Sequence, residues 1–64
     1  MTELQKIWLR NLYLEAAEQH KGAAVNEHIW ALGSETPEQA ADHEYYAKEN
    51  REFAIMLKEM AEEV

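Results

Sequence analysis

Residues 29–41 read IWALGSETPEQAA, and the fold turns on how this stretch is divided. Gly33 follows Leu32 and can take the left-handed position that ends a helix. Thr36-Pro37-Glu38-Gln39 then reads as a helix start. Thr36 is an N-cap, and Gln39 three residues on completes a capping box. Pro37 suits the first helical turn, where its missing N–H would be unpaired anyway. It also biases Thr36 away from helical backbone, as a cap requires. A helix therefore ends near residue 32 and another begins at 37. The four-residue connection makes them antiparallel neighbours.

Outward from the turn, Thr2-Glu3-Leu4-Gln5 repeats the Thr-x-x-Gln form and starts the first helix. No strand-like alternation and no hairpin-turn signal appears. The sequence thus predicts a single all-α domain over 1–64, an antiparallel two-helix hairpin. Its first helix spans about 3–32, its turn 33–36 and its second helix about 37–63. Gly22, after His20-Lys21, could instead end a helix, which would give a three-helix chain. Phase favours continuity: Ile7, Leu14, Val25, Ile29 and Leu32 stay within about 60° at 100° per residue. Gly22 is then read as a point of close backbone approach to the second helix.

The apolar residues of the two helices differ in arrangement. The second helix carries one heptad stripe: His43, Tyr46, Asn50, Phe53, Leu57, Met60 and Val64. Ala40, Ala47, Ala54 and Ala61 flank it at intervals of seven, a small-residue edge. The first helix carries two. Ile7, Asn11, Leu14, Glu18, Val25, Ile29 and Leu32 form the expected hairpin seam. Leu9, Leu12, Ala16, Ala23 and Trp30 lie on another side, with Leu4 and Trp8 between the two. One partner helix can cover only one of these faces. The second set, with Leu4 and Trp8, is therefore expected to be an interface. Two hairpins would dimerise through it into a four-helix bundle with the first helix central. Docking on another protein, with the tryptophans as anchors, is the alternative occupant. Polar seam residues are expected to set register. Glu18 and Asn50 should approach one another, and Glu27 and Glu44 should point away.

Size and charge narrow the function. Sixty-four residues bury a small core, so such a chain ordinarily needs disulfides, a metal or a partner. There is no cysteine, which removes disulfides and thiolate metal sites. The formal charge of −7 opposes nucleic acid and anionic membrane alike. No apolar run reaches the roughly 20 residues of a membrane span. The start shows no basic segment before an apolar one, so a signal peptide is not expected and a cytoplasmic location is.

Chemistry finds little support. None of the three histidines has Glu three residues before it, so the inward-facing Glu-x-x-His of di-iron bundles is missing. Glu15-Ala-Ala-Glu18 and Glu49-Asn-Arg-Glu52 could pair as magnesium ligands, but Glu52 sits far from the second-helix seam. His28 and His43 flank the turn, yet no zinc-ligand spacing is present. Ser34 is the one serine, and no phosphate loop or dinucleotide motif exists. The sequence reads as a non-enzyme without a cofactor: a protein–protein interaction module that self-associates, a homodimer being favoured. A small acidic inhibitor of a host enzyme or defence protein, of the kind carried by phages and mobile elements, is the alternative. A His/carboxylate metal-binding bundle is the third.

Overall fold

The computed structural model describes all residues, Met1–Val64, and contains two helices. Helix α1 runs Glu3–Leu32 and α2 runs Pro37–Glu62. They pack side by side as an antiparallel hairpin, an elongated rod of 51 × 13 × 10 Å. No helix is long and apolar enough to cross a membrane.

The helix starts follow from their caps. Thr2 accepts a hydrogen bond from the Gln5 amide at 3.1 Å, and Gln5 Oε1 accepts one from the Thr2 amide at 2.8 Å. Both halves of the capping box are present. Thr36 likewise accepts from the Gln39 amide at 3.2 Å. There Gln39 Oε1 reaches one residue further back and takes the Glu35 amide, so the box is shifted by one. Gly33 does not adopt the left-handed conformation expected of it. Its φ is −93°. The helix ends instead in a right-handed turn, because Ser34 supplies the donors. Its amide bonds the Ala31 carbonyl, and its hydroxyl donates to the Trp30 carbonyl at 2.8 Å.

Helix α1 is unbroken at Gly22. The glycine does not serve close packing, however. It is exposed, and a Cβ built there would meet nothing within 4 Å. The face of α1 that meets α2 explains this. Ala17, Ala24 and Ala31 are buried there, with Leu9, Tyr13, Ala16, His20, Ala23 and Glu27 half-buried beside them. On α2 the buried residues are Ala47 and Ala61, in the same heptad row as half-buried Ala40 and Ala54.

The seam of α1 therefore differs from the stripe chosen on side-chain size. Ile7, Leu14, Glu18, Val25, Ile29 and Leu32 are all exposed; Leu32 retains 75% of its surface. Of the α2 stripe, His43, Asn50, Leu57 and Met60 are half-buried, whereas Tyr46 and Phe53 are exposed. The physical reason is spacing. Alanines at intervals of seven on both helices let the backbones approach closely along the whole rod. A row of Ile and Leu facing that same edge would hold them apart. Rotating the alanines inward also brings His20 and Glu27 to partners on α2. Both would be forfeited in the other rotation.

What this packing lacks is a large buried side chain. The buried core consists of five alanines. The chain exposes 5004 Å². A compact monomer of this mass would expose about 4,250 Å².

Candidate interaction surface

The stretch around the turn places four ionisable side chains in two crossed pairs. Glu27 and His28 end α1's approach to the turn, and His43 and Glu44 begin α2's departure from it. Level pairing in the antiparallel hairpin would match like types, but each side chain reaches diagonally to the opposite type. The His43 Nδ1–H donates to Glu27 Oε2 at 2.6 Å, and the His28 Nδ1–H donates to Glu44 Oε1 at 2.7 Å. An ionised carboxylate can only accept, so Nδ1 is the donor of each ring in these contacts. Glu27 and Glu44 thus point toward the partner helix, not away from it. His28 and His43 do not meet.

Further along, the His20 Nδ1–H donates to Asn50 Oδ1 at 2.8 Å. The amide is oriented by its own Nδ2–H, which donates to the Tyr46 carbonyl at 2.9 Å. His20 takes the place expected of Glu18, which is exposed. The same rotation of α1 that buries the alanines accounts for the exchange. The His20 ring also stacks on Phe53, with centroids 5.4 Å apart, and Trp30 meets the edge of His43 at 5.9 Å. At the far end, Arg10 Nη2 donates to the Val64 carbonyl at 2.7 Å. These contacts are spread along the rod. Each fixes the sliding of one helix against the other, the work done by polar residues in coiled-coil cores.

No three or more His, Asp or Glu side chains converge in a geometry that could hold a metal ion. Ser34 and His43 line the same shallow depression by the turn. The Ser34 hydroxyl donates to a helix carbonyl and the His43 Nδ1–H to Glu27, and no hydrogen bond joins serine to imidazole. A nucleophile activated by a general base needs that bond.

The remaining features concern surface. Of the residues expected at an interface, Leu4, Trp8, Leu12 and Trp30 are exposed, Trp8 to 64%. Leu9, Ala16 and Ala23 are half-covered by α2. The outer side of α1 adds Ile7, Leu14, Val25, Ile29 and Leu32 to the exposed apolar set. The signal for this was available: Ala17, Ala24 and Ala31 repeat at sevens, as the α2 alanines do.

On one flank of the rod the two helices form a groove. Its floor is Leu14, Ala17, Ala54 and Ile55; Lys21, Arg51 and Lys58 stand on its rim, with Glu18. None of these three cations takes part in an ion pair within the hairpin. Charge is otherwise unevenly divided. Helix α1 carries four carboxylates against three cations, and α2 seven against three.

Compared with known protein families, curated proteins and solved structures, the chain matches none.

Proposed function

We propose that the chain is a non-enzymatic protein–protein interaction and assembly module, and that it self-associates through the apolar surface of α1 into a four-helix dimer. The observation that carries this is the mismatch between the two sides of α1. Its inner side buries alanines, while Leu4, Trp8, Leu12 and Ile29 lie open to solvent. Apolar surface of that extent belongs at an interface. A rod with five buried alanines also needs stabilisation from outside itself. Helix α1 is nearly neutral, so bringing two copies together along it keeps the acidic α2 helices outside.

Sedimentation equilibrium at micromolar concentration tests the proposal. Wild-type protein is expected at twice the chain mass, and a Trp8→Ala/Trp30→Ala variant at a lower average mass. A wild type that stays monomeric at ~100 µM, far above ordinary interface Kd values, would overturn it.

A further inference from the structure

The large residues that the alanine seam leaves out gather on one flank of the rod. Leu9, Leu12 and Trp30 supply them from α1, and Tyr46, Phe53 and Met60 from α2. Helix phase sets both groups roughly 60–130° to one side of the alanine rows, and antiparallel packing turns them to the same flank. Two ring contacts across the hairpin mark that flank: His20 stacks on Phe53 at 5.4 Å, and Trp30 meets the edge of His43 at 5.9 Å. Leu12, Trp30, Tyr46 and Phe53 remain exposed there. Lys21, Arg51 and Lys58 stand on the other flank. The His20–Asn50 and Glu27–His43 contacts fix how the helices align in height. At that alignment Tyr46 stands level with Ala23, and Phe53 with Ala16. Both alanines are half-buried. At each of these heights the flank is therefore raised on α2, by a ring, and low on α1, at a methyl group.

Resting on the self-association proposed above, we infer that this flank is covered by the same flank of a second copy, with both turns at the same end. The two-fold axis then runs along the rod. It lays α2 of each chain on α1 of the other and leaves every height unchanged. The rings of Tyr46 and Phe53 in each chain meet Ala23 and Ala16 of the other, large on small at both heights. Leu12 meets Leu57 and Leu9 meets Met60, which continues the apolar contact toward the chain ends. Size matching selects the occupant: a second copy has its low places at the heights of the rings, because its own rings stand beside them. Turns at opposite ends would lay α1 on α1 and α2 on α2. Phe53 would then crowd Phe53 of the other chain, and Ala16 would face Ala16 across a void. That arrangement would also run α2, with seven carboxylates against three cations, along its own copy. With the turns together the α2 helices take opposite corners. Their carboxylates at the margin of this flank, Asp42 and Glu49, come level with Asn26 and Gln19 of the other chain, whose amides can donate to them. The contact is isologous, so it closes as a dimer. The available surface is of the right size. The hairpin exposes about 750 Å² more than a compact monomer of its mass. A standard interface covers about 800 Å² on each partner.

Exchanging large for small in two separate chains tests the contact. One variant is Tyr46→Ala/Phe53→Ala, the other Ala16→Leu/Ala23→Leu. The first meets small on small in its own dimer and the second large on large, so each is expected to dimerise at least tenfold more weakly by sedimentation. Mixed one to one, they pair large with small on both sides, and a heterodimer tighter than either homodimer is expected. A variant that loses helicity alone and recovers it on mixing gives the same answer by circular dichroism. Orientation is read in the cysteine-free background. Gln19→Cys in one chain should form a disulfide with Glu49→Cys in another, and should not link to itself. Should Ala16→Leu/Ala23→Leu stay unfolded even in the mixture, this disulfide decides. A wild-type dimer that neither exchange weakens, or whose cysteine variants fail to link, would overturn the flank contact while leaving self-association standing. Self-linking of Gln19→Cys would overturn the placing of both turns at one end. A monomeric wild type would overturn self-association itself.

Discussion

Replacing Ala47 by leucine separates an alanine seam from a conventional apolar one. Ala47 has 0% of its surface exposed, the lowest value in the chain. It faces α1 between the heights fixed by His20–Asn50 and Glu27–His43. Leucine adds three carbons where the side chain already has no exposed surface, and the polar pairs on either side resist separation. Overpacking of this kind costs about 1–3 kcal/mol. For a domain of this size that corresponds to a fall in Tm of roughly 5–20 °C. Ala41 is exposed on the same helix and provides the control. Ala41→Leu should stay within about 0.5 kcal/mol of wild type. Thermal unfolding followed by far-UV circular dichroism, at one fixed protein concentration, gives both numbers. If the seam were built from large side chains, leucine at Ala47 would add apolar burial. An Ala47→Leu Tm equal to or above that of wild type would therefore refute the alanine packing.

Three further outcomes are expected. Diluting the protein tenfold should lower its Tm by about 5 °C: the association term changes by about 1.4 kcal/mol, set against an unfolding entropy of about 2.1 cal/mol/K per residue over both chains. A Tm independent of concentration from 1 to 100 µM, on the order of ordinary dimer affinities, would rule out coupling of folding to assembly. Gly22→Ala should raise stability by up to about 1 kcal/mol, since alanine is the better helix former and its Cβ meets nothing; urea denaturation with a lower midpoint than wild type would contradict the open surroundings of Gly22. A double-mutant cycle of Glu27→Gln and His43→Ala should return a coupling of about 0.5–1 kcal/mol, the range of a partly exposed pair, whereas strict additivity would mean that the 2.6 Å contact does nothing to hold the register.

The elements were legible in the sequence because their signals are local. Thr2 with Gln5, and Thr36-Pro37 with Gln39, are caps whose chemistry requires only the neighbouring turn. Both helix starts follow from them, and helix phase carried α1 through Gly22. The rotation of α1 about its axis was less legible, because it depends on what faces it. Size pointed to Ile7, Leu14, Val25 and Ile29. Spacing pointed to Ala17, Ala24 and Ala31, which match the alanine row of α2. Spacing prevailed, since close approach requires small residues on both sides. The same error of rotation misplaced the polar contacts, assigning Asn50 to Glu18 when His20 holds it. The crossed pairs at the turn were half visible. The order Glu27-His28 and His43-Glu44 is a palindrome of types, which level pairing would match like to like; the side chains instead cross by one residue, Glu27 to His43 and His28 to Glu44.

The two faces of α1 then have separate characters. The inner one sets distance and register: alanines fix how closely the helices run, and His20, Glu27 and His28 fix how they slide. It contributes little stability, because an alanine buries little apolar area and partly exposed polar pairs contribute about 1 kcal/mol or less each. The outer one holds the large apolar side chains that could supply the rest. Folding and assembly should therefore be one transition, with no well-populated folded monomer at low concentration. That has a consequence for Trp8 and Trp30, neither of which is buried in the hairpin. In a self-sufficient fold, truncating an exposed tryptophan changes stability by about 0.5 kcal/mol at most. Here Trp8→Ala/Trp30→Ala should lower the Tm by several degrees at micromolar concentration, and the deficit should shrink as protein is added. A Tm for this variant equal to wild type at every concentration would place both tryptophans outside any interface that stabilises the chain.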